Sequence, residues 1–125
     1  MKPRNTIQRT LTLHAVNRLK FHPTADEVYQ CIIERHPTIS RGTVYRNLNL
    51  LSEQGEISRV QIPNGADRFD FNTQQHYHVQ CKGCGRVFDV DMPYQAELNK
   101  KIRSAHGFIF HGHHIVFSGL CPDCQ

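Results

Sequence analysis

Apolar positions recur first at helical spacing and later at strand spacing, with the change near residue 71. Ile7, Leu11, Ala15 and Leu19 predict a helix over residues 6–19, weakened by its threonines and ended by His22-Pro23. Thr24-Ala25-Asp26-Glu27 has a Thr N-cap with Glu three residues on, a capping box that predicts a helix over 25–35. Its apolar stripe is Val28, Cys31, Ile32 and Tyr29, and Pro37 stops it. A third helix over 41–54 puts Val44, Leu48 and Leu51 on one face, with Gly55 as C-terminal cap. The other face shows Arg41, Thr43, Tyr45, Arg46 and Asn49. Ile57–Ile62 then reads as a strand, Pro63-Asn64-Gly65-Ala66 as a turn, and Asp67–Phe71 alternates polar and apolar, which predicts a hairpin with an Asn-Gly turn. Three helices closed by a two-stranded ribbon is the order of a winged helix-turn-helix, whose helix pair is joined by the HPTIS turn.

Beyond residue 71, cysteine pairs, glycines and β-branched or aromatic runs take over. Residues 79–91 predict strand, cysteine turn, strand; 94–105 predict a helix; Phe108–Phe117 predict one or two strands. The expected fold class is α+β, with a winged-helix domain over 1–71, a connecting segment over 72–78 and a small α/β domain over 79–125. No internal repeat and no low-complexity linker is visible.

Size changes the picture first. In 125 residues two such domains are each small enough to need a staple, either a metal or a partner subunit. With 38% hydrophobic residues and no apolar run near the roughly 20 residues that cross a bilayer, a membrane-embedded chain is excluded. Met1–Ile7 carries positive charge without a following apolar stretch, so a secretory signal is not expected and the reading is cytosolic. The net charge of +4 is compatible with nucleic acid and also common without it. Its distribution helps more: ten Lys/Arg against seven Asp/Glu lie before residue 72, and five against four after it, so DNA contact belongs to the first half. Five cysteines and nine histidines are the unusual feature, and in a reducing cytosol closely spaced cysteines are metal ligands rather than disulfides. Cys31 stands apart in a helical pattern and is expected to be a buried, inert thiol.

Cys81-Lys82-Gly83-Cys84 and Cys121-Pro122-Asp123-Cys124 are two CxxC knuckles. Two such turns supply zinc with four tetrahedral thiolates, their backbone N–H groups free to bond the sulfurs; a redox dithiol and an iron-sulfur cluster are the other readings. A fully thiolate zinc site is structural, since it leaves no position open for catalysis. A second constellation is Asp70, His76, His78 and Asp89, with His22 upstream. The period of two in His76-Tyr77-His78 puts both imidazoles on one face of an extended segment. Mixed imidazole and carboxylate ligands suit Fe(II) or Mn(II), although each residue also reads as a solvated strand position. His106, His111, His113 and His114 cluster near the second knuckle and read better as exposed or core histidines than as another metal site. His14 and His36 carry no motif. Arg41, Tyr45 and Arg46 can reach base edges or phosphates, although a winged fold also serves as a protein-interaction module.

HPTADEVY (22–29), TVYRNL (43–48), DRFDF (67–71), HYHVQCKGCGRVFDV (76–90) and GLCPDC (119–124) together resemble the ferric uptake regulator (Fur) family of bacterial metal-dependent repressors. The resemblance spans nearly the whole chain and is strongest to the peroxide-sensing branch. It implies a homodimer on a palindromic operator in double-stranded DNA, with a structural Zn(II) on the four knuckle cysteines. It also implies a regulatory Fe(II) or Mn(II) on three His and two Asp, matched by His22, Asp70, His76, His78 and Asp89. In that branch hydrogen peroxide oxidises a ligand histidine, so His22 or His76 is the matching target; metal is then lost and DNA released. The residues 72–78 become a hinge carrying ligands, and 79–125 the dimerisation domain. Iron-sensing members use a further metal site beside the HxH pair; here the neighbours are Gln75 and Tyr77, and only His113 matches, which disfavours iron-uptake control. Family members usually carry an extra helix before the segment matching 4–19, and a chain starting there is expected to show altered DNA affinity or metal dependence. Two rivals from other classes are a zinc or iron enzyme, for which no general acid or base is recognisable, and a winged-helix interaction module that does not bind DNA.

Overall fold

A computed structural model describes residues 4–103 and 106–125. The chain divides into two compact units, Met1–Gln74 and Gln75–Gln125.

The first unit runs α1 (Arg4–Arg18), α2 (Ala25–Ile33), α3 (Arg41–Glu53), β1 (Ser58–Val60) and β2 (Arg68–Asp70). α2 and α3 begin where the sequence says, whereas α1 is already helical at Arg4, two residues before the expected start. Thr24 accepts from the Glu27 N–H while Glu27 reaches back to the Thr24 N–H, so both bonds of the capping box form. Ser40 caps α3 by accepting from the Thr43 N–H at 3.1 Å. Gly55 ends it in the left-handed conformation (φ 75), with the Glu56 N–H returning to the Leu51 carbonyl and the Gly55 N–H to that of Ser52. That pairing satisfies two of the helix's last carbonyls, and glycine enters it without steric cost.

The core of this unit is Ala15, Val16, Val28, Ile32, Ile39, Val44, Leu48, Leu51, Ile57 and Phe69. Leu48 and Leu51 are fully buried, each contributing about 1.5–3 kcal/mol of transfer free energy. The buried stripe of α1 differs from the expected one: Thr12, Ala15 and Val16 face inward, whereas Ile7 is exposed and Leu11 only partly buried. Thr12 can be buried because its hydroxyl donates to the Gln8 carbonyl at 2.9 Å, leaving no donor unsatisfied. Cys31 is half-buried against the core rather than fully buried. β1 and β2 pair antiparallel, Arg59 opposite Phe69. Their tight turn is centred on Pro63-Asn64 rather than Asn64-Gly65: the Gly65 N–H bonds the Ile62 carbonyl and Asn64 takes the positive φ of 60°.

The second unit runs β3 (Tyr77–Cys81), β4 (Val87–Val90), a 3₁₀ helix (Ala96–Lys101), β5 (Val116–Gly119) and a terminal 3₁₀ turn (Pro122–Cys124). Its sheet has the order β4-β3-β5, with β3 antiparallel to β4 and parallel to β5. The helix expected over 94–105 is only the 3₁₀ segment; it buries no residue, so nothing supplies the packing that stabilises an α-helix, and residues 104 and 105 lie outside those described. Strand structure expected from Phe108 begins only at Val116, where β3 offers a partner. Among the described residues the apolar side chains buried in this unit are Tyr77, Cys81, Val87 and Cys121. No helix of the described residues is long and apolar enough to cross a membrane.

Candidate metal centres

Zinc bound by thiolate at about 2.3 Å requires sulfurs about 3.8 Å apart on a tetrahedron's edge. The Sγ atoms of Cys81, Cys84, Cys121 and Cys124 lie within 4.8 Å of one another, and Cys84 Sγ is 3.9 Å from Cys121 Sγ. The first knuckle is the turn between β3 and β4, and the second follows β5, so the parallel β3–β5 ladder, in which Cys81 pairs with Gly119, brings the two together. Backbone N–H groups of Gly83, Cys84 and Cys121 point at Cys81 Sγ at 3.3, 3.4 and 3.4 Å. These bonds, that from Cys121 first, hold the Cys81 thiol down to about 5. The Arg86 guanidinium, donating to Cys84 Sγ at 3.2 Å and to Cys121 Sγ at 3.4 Å, lowers the Cys84 thiol. The neighbouring sulfurs of Cys121 and Cys81 push the Cys124 thiol up to about 12. Protein donors thus favour thiolate at Cys81 and Cys84 while Cys124 keeps its proton, and a divalent cation among the sulfurs would favour its loss. Gly83 adds a steric mark of the same site: a Cβ there would lie 2.8 Å from Cys124 Cβ and 2.9 Å from Cys124 Sγ, so only glycine lets the knuckles close.

The second candidate set is described unit by unit. In the first unit, His22 Nε2 lies 3.2 Å from Asp70 Oδ2, both side chains buried. In the second, His76 Nε2 and His78 Nε2 lie 3.1 and 3.5 Å from Asp89 Oδ1, with the two imidazole centroids 4.4 Å apart. His78 pairs directly with Asp89 across β3 and β4, which is why one carboxylate serves both rings. Each half therefore gathers nitrogen and oxygen donors of the kind that hold Fe(II) or Mn(II). Among the described residues the histidines at 106, 111, 113 and 114 form no further metal group.

The model of the ferric uptake regulator family matches residues 1–118. The chain belongs to that family. It is 34% identical over 122 residues, 98% of its own length and 82% of the other's, to the peroxide-responsive repressor PerR of Staphylococcus aureus (strain USA300). The corresponding protein of Staphylococcus saprophyticus is 36% identical over the same coverage. Among solved structures, the Campylobacter jejuni peroxide stress regulator superposes with a TM-score of 0.75 at 32% identity, covering 97% of this chain and 91% of that one. This Fur-family chain is a metal-dependent transcriptional repressor and not an enzyme; regulators of the family bind DNA and form dimers, and they carry structural zinc with regulatory iron or manganese. The α+β architecture agrees with theirs, a winged-helix domain followed by a dimerisation domain.

Two further arrangements bear on the Fur-family reading. On α3, Tyr45 and Arg46 are exposed, while Thr43 is tied into the N-cap through Ser40. Arg41 lies over the Tyr29 ring at 4.5 Å and pairs with Asp26; Asn49 accepts from Arg59. Arg59, on β1, was not singled out by the sequence; it also bonds Asp67 at 3.2 Å and so extends the polar face of α3 onto the wing. His113 donates or accepts at both ring nitrogens: Nε2 meets Tyr77 Oη at 2.6 Å, and Nδ1 meets Asn99 Oδ1 at 3.1 Å and Tyr94 Oη at 3.3 Å. Both ring nitrogens of His113 thus already have protein partners.

Proposed function

We propose that this Fur-family repressor senses hydrogen peroxide through Fe(II), with Mn(II) as an alternative ion, held by His22, Asp70, His76, His78 and Asp89. In this reading Cys81, Cys84, Cys121 and Cys124 hold the structural Zn(II). The supporting observation is that each unit preassembles part of the set, His22 with Asp70 and His76 with His78 and Asp89, into three imidazoles and two carboxylates. A bound Fe(II) would activate peroxide, one of whose oxygens would leave as water while the other passes to a ligand imidazole, the ring supplying the two electrons. His22 or His76 is the imidazole that takes up the oxygen, and a ligand so oxidised is a weaker one, so metal and then DNA are released. Residues 72–78 act as the hinge between a DNA-binding domain over 1–71 and a dimerisation domain over 79–125, and a metal that favours one arrangement shifts the population toward it.

Arg41, Thr43, Tyr45, Arg46 and Asn49 form the DNA-reading face, in a homodimer whose two-fold axis calls for a palindromic operator. The exposed Phe108, Ile109, Phe110, Phe117 and Leu120 of the second unit suit a dimer contact, since apolar side chains this open to solvent favour burial against a partner. The setting is the cytoplasm, where the four thiols stay reduced. Iron-uptake control is the second reading, and the engagement of His113 by Tyr77 and Asn99 speaks against its additional metal site. Intact mass spectrometry of the Fe(II) protein after dilute peroxide, with peptide mapping, is the test. One added oxygen on His22 or His76 is expected; no histidine oxidation would transfer the reading to metal-uptake control.

A further inference from the structure

His22 is one of few non-glycine residues of the described chain with a positive φ, 61°, and it precedes a proline, whose ring already narrows the backbone choices of its neighbour. Such a conformation persists only where surrounding contacts over-determine it. Those contacts come from β2, far along the chain. Arg68 Nη1 donates to the His22 carbonyl at 3.0 Å, the Phe69 N–H donates to the Pro23 carbonyl at 2.8 Å, and Arg68 bridges to Thr24 through the backbone. The guanidinium is itself held: its side chain is only 17% exposed, and Nη1 lies 3.8 Å from Glu27 Oε1, the carboxylate of the α2 capping box. Two residues on, Asp70 reaches the His22 ring at 3.2 Å. Alternation along a strand places Arg68 and Asp70 on one face of β2, while Phe69 enters the core. One strand therefore grips His22 twice, by its backbone through Arg68 and by its ring through Asp70.

We infer that Arg68 is a positioning residue for the regulatory metal: its guanidinium holds His22 in the left-handed conformation that turns Nε2 toward Asp70. This rests on the reading of His22 as a metal ligand. Partners that orient ligands from behind typically change metal affinity 10–100-fold when removed. Arg suits the task better than Lys, because its planar fork can serve the carbonyl while still facing Glu27.

The experiment is Mn(II) titration of the zinc-loaded full chain, free Mn(II) being read by electron paramagnetic resonance, in the wild type, R68A, R68K, H22A and the R68A/H22A pair. R68A is expected to weaken Mn(II) about tenfold or more, with zinc content and helical circular dichroism unchanged, and R68K to recover part of the loss. In the H22A background R68A should add nothing, because its effect passes through His22. Wild-type affinity in R68A, or an undiminished further loss on top of H22A, overturns the inference. Wild-type affinity in H22A instead overturns the ligand reading beneath it. Should R68A lose its helical signal, R68K with H22A completes the same cycle.

Discussion

The two units solve the problem of small size by different means. The first buries twelve apolar side chains among its described residues, ten of them in one cluster of helices and ribbon, and contains none of the knuckle cysteines. The second buries four apolar side chains among its described residues, and two of those, Cys81 and Cys121, belong to the thiolate group. Where one unit has a core, the other has a four-cysteine group that could hold an ion, beside a short sheet. Buried area stabilises the first unit in any buffer, whereas in the second, on the zinc reading, metal-binding free energy would be folding free energy.

This contrast can be broken in order of expected effect. Cys81→Ser, or removal of zinc by a strong chelator, should unfold the second unit while the helical circular dichroism of the first survives; a well-folded dimer without zinc would show that the small sheet stands alone. The free energy at stake is that of a structural zinc site, about 10 kcal/mol or more at neutral pH. Leu48→Ala should lower the stability of the first unit by about 2–5 kcal/mol, seen as a lower denaturant midpoint with zinc content unchanged. A loss of zinc in that variant would mean the two units do not stand on separate supports. Gly83→Ala, whose added methyl meets Cys124, should cost the second unit about 1–3 kcal/mol and hasten zinc transfer to a chromogenic chelator. Unchanged transfer would show that the knuckles have room to separate.

The same contrast explains what was legible beforehand. Helices of the first unit follow local rules, a capping box at Thr24, a Ser40 cap and a Gly55 stop, and the structure reproduces them to within two residues at the ends of α2 and α3. The stripe of α1 was misread because a threonine can be buried once its hydroxyl bonds the preceding turn, which hydrophobic periodicity does not register. In the second unit little is local. The segment over 94–105 reads as a helix, but without an apolar layer to lie on its described residues make only the 3₁₀ helix Ala96–Lys101. The cysteine spacing pointed to the four side chains that the structure gathers, because two CxxC pairs carry their own signature. Arg86 stands two residues past Cys84, so a charge beside a knuckle was a usable signal for it. Arg68 had none, since its partner His22 lies 46 residues away and is reached through a backbone carbonyl. Arg59 likewise joins the α3 face only because the wing folds back on Asn49.

The parallel pairing of β3 with β5 has a kinetic side. His78 meets Val116 and Cys81 meets Gly119, so the ladder cannot begin until the long intervening segment has closed, at an entropic cost of about 3 kcal/mol before any bond rewards it. The β1–β2 ribbon closes a far shorter loop. Folding of the whole chain is therefore expected in two tempos, a fast one set by neighbouring helices and a slow one set by a search between distant segments. A cation that captures both knuckles at once ends that search, so the rate at which the repressor matures would follow the supply of zinc to the new chain.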